Sequence, residues 1–255
     1  MRVTRRIALL ALLLAPLAWA ADIGISPPRI ELVGTVGERL IGTAIVLTGA
    51  DREQIIAVEV GDWTMDPFGD LVFLPTGAAR DGAATWIEPE AESFVLDGRG
   101  SREVRFAVTI PAGAEGTHHA MVYFTVLPAA DAAQGVGVVT TTRVALAVYV
   151  TVAGTERGGA ELVDLFQADD RTIVAVIVND GNTVMRLAGE LQLRDEAGTV
   201  RHRFDVPDTP VLRDSERQLA FVLPPEVEPG FYVALALIED SRGGLLAGEL
   251  PLDVP

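Results

Sequence analysis

Apolar and polar residues alternate in short runs along this chain: Leu40 to Leu47, Ile55 to Val60, Val104 to Ile110, Ala120 to Val126, Ile173 to Val178 and Val233 to Ile238. Gly, Pro and Asp break the runs. Successive side chains of a strand point to opposite faces, so this alternation predicts strands with one buried face. No window sustains the 3.6-residue apolar stripe of a helix. Regular turn spacing without a recurring four-strand blade signature predicts sandwiches rather than a propeller. The expected fold class is all-β.

One pattern occurs twice. Ser101-Arg102-Glu103-Val104-Arg105-Phe106 leads to Pro111 and then to Glu115-Gly116-Thr117-His118-His119-Ala120-Met121. Ser215-Glu216-Arg217-Gln218-Leu219-Ala220-Phe221 leads to Pro224 and then to Pro229-Gly230-Phe231-Tyr232-Val233-Ala234-Leu235. Strand, proline, glycine corner and small-apolar strand follow in the same order, which predicts two copies of one sandwich topology. At the corner, Tyr232 is placed to fold back and hydrogen-bond backbone, as a tyrosine corner does, and His118 stands at the matching position. Between the copies, Gly154, Gly158 and Gly159 mark a joint at 154–159. The expected domains are therefore 21–153 and 160–255, both immunoglobulin-like, held at an angle by a short linker.

The N-terminus changes the picture of where the protein works. Arg2, Arg5 and Arg6 precede the apolar run Ile7 to Leu14, and Ala18-Trp19-Ala20 offers a cleavage site. This predicts a signal peptide over 1–20, with an apolar run short of the roughly 20 residues of a membrane span. The mature chain carries no further span and is expected to be periplasmic or secreted. It has no Cys, and two sandwiches of this size need no disulfide.

Charge narrows the partners. All 20 basic residues are Arg, against 36 acids. Three of the Arg and none of the acids lie in the predicted signal, leaving 17 Arg and a mature balance of −19. Such an acidic surface repels phosphate backbones and anionic headgroups, which disfavours nucleic acid as a partner.

The search for catalytic chemistry excludes most classes. There is no Gly-x-Ser-x-Gly elbow, and Ser26, Ser93, Ser101, Ser215 and Ser241 have no neighbouring His. Adjacent His118 and His119 in a strand face opposite ways and cannot share a metal. Gly135-Val136-Gly137-Val138-Val139-Thr140 lacks the third glycine of a dinucleotide loop, and Asn179-Asp180-Gly181-Asn182 reads as a β-turn rather than a calcium loop. The expectation is a non-catalytic binding protein with no cofactor and no metal.

Several stretches carry a family resemblance. Ile25-Ser26-Pro27-Pro28-Arg29-Ile30 opens the mature chain as a first strand. Thr85-Trp86-Ile87-Glu88-Pro89 precedes Phe94-Val95-Leu96, and Val104-Arg105-Phe106 leads to Ile110-Pro111. A long strand over 135–152 then ends the first domain with Thr142-Arg143-Val144-Ala145-Leu146-Ala147-Val148-Tyr149-Val150. This order resembles the periplasmic pilus-assembly chaperones (PapD-like), and the second domain is similar to divergent chaperone-like bacterial proteins rather than to the fimbrial type.

The resemblance implies a partner and a site. In the family, the last strand of domain one lends its edge to an exported pilin-like subunit. Here Val144, Leu146, Val148 and Val150 alternate along one face as the expected edge-strand donors. A basic pair in the cleft grips the subunit's terminal carboxylate. Arg29 matches the first of the pair. The second, a Lys three residues before the strand's Tyr, is Leu146 here, and Arg143 stands six residues before Tyr149. Arg29 and Arg143 are thus the expected carboxylate anchor. The alternative reading is an envelope structural or adhesive protein whose sandwiches bind peptidoglycan or another surface component.

Overall fold

A computed structural model describes residues 23–128 and 141–255. The signal peptide expected at 1–20 and the start of the strand expected over 135–152, with its Gly135–Thr140 stretch, lie outside the described residues.

The first half forms two facing sheets. One has the order β1-β3-β8-β6: β1 (Ile23–Ser26), β3 (Arg39–Thr48), β8 (Ser101–Thr109) and β6 (Ile87–Pro89). The other has the order β2-β10-β9-β4-β5: β2 (Arg29–Gly34), β10 (Arg143–Val152), β9 (Gly116–Val126), β4 (Gln54–Met65) and β5 (Leu71–Leu74), with β7 (Ser93–Leu96) also on β4. A short 3₁₀ turn at Ala84–Trp86 precedes β6.

The second half repeats the plan. Its smaller sheet is β11 (Ala160–Asp169), β12 (Thr172–Asn179) and β15 (Ser215–Val222). Its larger sheet has the order β14-β13-β16-β17: β14 (Val200–Val211), β13 (Met185–Arg194), β16 (Gly230–Asp240) and β17 (Leu245–Val254). Among the described residues, no strand pairing crosses 153–159, between the end of β10 and the start of β11.

The alternating faces fill two cores. Ile56, Phe94, Leu96, Phe106, Phe124, Leu146, Val148 and Val150 meet between the first pair of sheets. Ile173, Ile177, Leu187, Leu191, Phe221 and Ile238 meet between the second pair. Each such side chain contributes about 1.5–3 kcal/mol by leaving water, so neither sandwich needs a covalent staple.

The sequence repeat lands on equivalent strands. β8 leads to β9 as β15 leads to β16, in each case crossing from the smaller to the larger sheet. Tyr232 donates its phenolic O–H to the Glu228 carbonyl at 3.0 Å, the corner expected of it. His118 makes no such bond. The carbonyl of Glu115 beside it instead accepts from Arg213 Nη1 of the second sandwich at 2.9 Å.

Two local expectations change. Ile25 to Ile30 is not one strand: it breaks at Pro27-Pro28, which have no N–H for a ladder. β1 pairs antiparallel with β3, and β2 crosses to the other sheet to pair parallel with β10. Asn179-Asp180-Gly181-Asn182 is a loop at the joint rather than a positive-φ turn: the Asn179 amide donates to the carbonyls of Thr183, Val211 and Leu212, and none of the four residues has a positive φ.

Candidate functional site

Two features of the first sandwich stand next to each other, an open strand edge and a charged cleft. The edge belongs to β10. β10 pairs with β9 over its whole length, from Arg143↔Thr125 to Val152↔Gly116. On its other side β2 pairs only from Ala147↔Arg29 to Val152↔Gly34. Among the described residues, 143–146 therefore have a ladder partner on one side alone, β9.

The direction of the backbone groups follows from two hydrogen bonds. Val126 N–H donates to the Thr142 carbonyl on the β9 side, and Ala147 N–H donates to the Pro28 carbonyl on the β2 side. Groups alternate along an antiparallel pair. Arg143 and Ala145 thus point their N–H and C=O outward along the unpaired edge, while Val144 and Leu146 point theirs at β9.

This corrects the expected donor row. Leu146, Val148 and Val150 are fully buried in their own sandwich, and Val144 is half-buried against the same core. β2 occupies the edge at Val148 (opposite Ile30) and at Val150 (opposite Leu32). The open edge is the short stretch 143–146, and the side chains it presents outward are Arg143 and Ala145.

The cleft lies on the outer face of this sheet, where the second sandwich packs. Trp63, Met121, Tyr123 and Tyr149 form an apolar cluster with Leu212 of the second sandwich. Trp63 meets the Tyr149 ring edge-on at 6.0 Å between centroids and the His119 ring at 4.7 Å. His119 Nε2 lies 3.0 Å from the Trp63 carbonyl. His118 faces the other way, 4.3 Å from the Trp86 ring, so the two histidines do part as the alternation predicts.

Polar contacts fix the joint. Thr117 N–H donates to the Asn182 carbonyl at 2.8 Å, and Gln218 N–H donates to the Pro67 carbonyl at 2.7 Å. Gly116 N–H donates to Thr155 Oγ1 at 2.7 Å. Gly116 has φ +73, and a Cβ there would meet the Asn182 carbonyl oxygen at 2.0 Å, so only glycine fits. Arg213 is nearly buried and forms an ion pair with Asp81 at 3.3 Å, without the alignment of a hydrogen bond.

Arg29 sits at the mouth of the cleft, at the start of β2. Its Nε lies 2.9 Å from Glu31, and its Nη1 donates to Asp208 Oδ2 of β14 at 3.1 Å. Arg186 of β13 reaches the same carboxylate, with Nε on Oδ1 and Nη2 on Oδ2 at 2.8 Å. Those guanidinium hydrogen bonds, Arg186's first, hold the Asp208 carboxyl below the usual carboxylate range. Tyr149 lines the cleft with Arg186, and burial pushes its phenol up, so it stays protonated at neutral pH. A cavity of about 130 Å³ opens beside them between Val33, Thr117, Thr151, Val184 and Ser241.

Arg143 is not part of this group. Its guanidinium pairs with Glu59, donates to Thr125 Oγ1 at 2.9 Å and lies 5.0 Å from the centre of the Tyr123 ring. It shares the outer face with Tyr149, but four residues of β10 separate it from Ala147, the register partner of Arg29. At about 3.3 Å per residue this is about 13 Å. Leu146, where the resemblance places a Lys, points into the core.

The cation that does join Arg29 is Arg186, supplied by the other sandwich. Its sequence context, Val184-Met185-Arg186-Leu187, is that of any strand. Pro207-Asp208 in a strand was the one readable signal. β13 pairs Leu187 with Thr209 and Gly189 with Val206, leaving Pro207 and Asp208 opposite a single residue. Such a bulge re-aims a side chain.

Two immunoglobulin-like sandwiches joined through this cleft are the fold of the PapD-like chaperones. The YadV chaperone superposes with a TM-score of 0.51 over 91% of this chain and 100% of its own, at 10% identity. A chain of the chaperone–tip adhesin complex of CFA/I fimbriae biogenesis gives a TM-score of 0.51 over 91% of this chain and 98% of its own, at 11% identity. No family model and no curated protein matches the sequence. At these identities the likeness is one of fold.

Proposed function

We propose that this chain is a non-catalytic, periplasmic chaperone-like protein that binds exported pilin-like subunits by strand addition at residues 143–146 of β10. The observation that carries the reading is the half-open edge itself: it ends where β2 begins, at Arg29. A strand added beside 143–146 occupies the line that β2 continues. If it runs parallel to β10, as β2 does, its C-terminal end arrives at Arg29 and the cleft. Backbone pairing supplies affinity in this mode, and the outward side chains Arg143 and Ala145 meet the guest. The fold shared with solved chaperones supports the reading.

Ala145 provides the test. Its N–H points away from β9, so Ala145→Pro removes an edge donor and no bond of the sandwich, the position where sheets tolerate proline. A pilin-like subunit lacking its final strand should bind the variant at least about tenfold more weakly, the cost of one strand-pairing bond and its neighbours. In the parent protein, hydrogen exchange at the Ala145 amide should slow on binding. Unchanged capture by Ala145→Pro, or unprotected Ala145 in the complex, would end this proposal. Charging Leu146 or Val148 is no substitute, because both are buried and their loss unfolds the sandwich.

A further inference from the structure

The cleft already contains what it is built to hold. Two guanidiniums from different sandwiches, Arg29 and Arg186, converge on the two oxygens of one carboxylate, Asp208. Paired Arg donors of this kind suit a carboxylate because their planar forks match its oxygens. Asp208 reaches them from a bulge on β14, the edge strand of its sheet, with β13 as its single ladder partner. Its side chain is 54% exposed, so one side of the pair faces water rather than core.

Charge bookkeeping then limits what can enter. Arg29 and Arg186 carry two positive charges, and Glu31 and Asp208 balance them. A chain end arriving along the edge brings a third carboxylate. With Asp208 in place it would meet two acids and guanidiniums already turned toward them, Arg29 through Nε and Nη1 and Arg186 through Nε and Nη2. With Asp208 swung out, it inherits both forks, the Tyr149 hydroxyl and the adjoining cavity of about 130 Å³.

We propose that Asp208 is an internal stand-in for the terminal carboxylate of the bound chain: it occupies the Arg29–Arg186 pair in the free protein, and an incoming C-terminus displaces it. The inference rests on the strand-addition reading above and adds to it a built-in competitor that lowers affinity for chain ends. Asp208 is then the residue that sets how strongly a free C-terminus is preferred.

The experiment uses the purified exported protein and two probes: an acetylated Val-Thr-Val-Thr-Tyr peptide with a free C-terminal carboxylate, and the same peptide amidated. In the parent protein the two peptides should bind within about threefold of each other, because displacing Asp208 offsets the gain. In Asp208→Asn, isosteric and half-exposed, the acid should bind at least about tenfold more tightly than the amide. Adding Arg29→Gln to that variant should remove the preference. Carbon-13 NMR of the parent protein gives a readout free of any folding effect. With the acid peptide bound, the Asp208 carboxyl loses its guanidinium partners and its pKa rises toward the ordinary value, and the amide leaves it depressed. An Asp208→Asn variant without acid preference, or an Asp208 carboxyl unmoved by the acid peptide, overturns the inference while the strand reading stands. Failure of both peptides to bind both proteins overturns the strand reading and this inference with it.

Discussion

The two sandwiches share one topology but finish their last strands differently. In the first, the opening strand is cut at Pro27-Pro28, and its second piece, β2, seals β10 from Ala147 onward. In the second, β11 stays whole on β12, and among the described residues β17 has no ladder partner beyond β16. Yet β17 is the better defended edge. Asp240 N–H donates to the Gly244 carbonyl, so by alternation Leu245, Ala247, Glu249, Pro251 and Asp253 point their backbone outward. Pro251 has no N–H to give, and the Gln167 amide caps the Asp253 carbonyl at 3.2 Å. Proline and charge at outward positions are the usual protection of an edge. Among the described residues, the open part of β10 has no proline and no cap, and its one charge is Arg143. One final strand is shielded by side chains and the other, among the described residues, keeps four residues without a second ladder partner, which is the contrast the proposed strand addition rests on.

The corners extend the contrast, and breaking them should have the largest effect. Gly116 and Gly230 hold equivalent places in the repeat. A Cβ on Gly116 would collide with Asn182 across the joint, whereas a Cβ on Gly230 would come no nearer than 3.9 Å, to the Tyr232 ring. Both alanine variants suffer the backbone strain of a positive φ, about 1–3 kcal/mol. Gly116→Ala must also push the sandwiches apart. Chemical denaturation should show Gly116→Ala as the more damaging, and small-angle scattering should show a changed interdomain angle for it alone.

The same corners should answer differently to acid. His118 and His119 are both held below the ordinary 6.5, in each case chiefly by burial, with the Arg213 charge adding to the effect on His118 and Asp81 opposing it. A histidine depressed in the folded state takes its proton first in the unfolded chain. Stability is then full above pH 6.5 and declines as pH falls below it, until the folded values are passed. The second corner carries Tyr232 where the first carries His118, and no histidine. The melting temperature should fall between pH 7 and 5, and a His118→Tyr, His119→Gln double variant should flatten the profile. An equally steep profile in that variant would place the sensitivity elsewhere.

These contrasts also mark where the sequence was readable. The strands were, because alternation follows from a half-buried sheet: the run Ile173 to Val178 lies within β12 and Val233 to Ile238 within β16. The repeat was, because each copy needs a glycine at the same corner. The strand switch at Pro27-Pro28 was hidden, since two short strands in different sheets read like one strand with a proline in it. Alternation marked Val144, Leu146, Val148 and Val150 correctly as one face and could not say that the face is core. Arg29 was singled out by its context, and the structure sets it beside Glu31 and Asp208. Its companions Arg186 and Asp208 lie in another sandwich, and no spacing within the first domain points to them.

The smallest expected effect sharpens the comparison of edges most directly. Pro251 points outward on β17, and its replacement by Thr restores an N–H to an edge that then resembles the open part of β10. Both folded and unfolded chains solvate the new group, so stability should change by no more than about 0.5 kcal/mol. Association is the sensitive readout. Unprotected edges pair with one another, so sedimentation should show weak, concentration-dependent self-association of Pro251→Thr that the parent β17 edge does not support. Adding Ala145→Pro should leave that association intact, because the new contact uses the second sandwich. If the double variant loses it, the new contact runs through β10, and proline at 251 was not what kept the two edges apart.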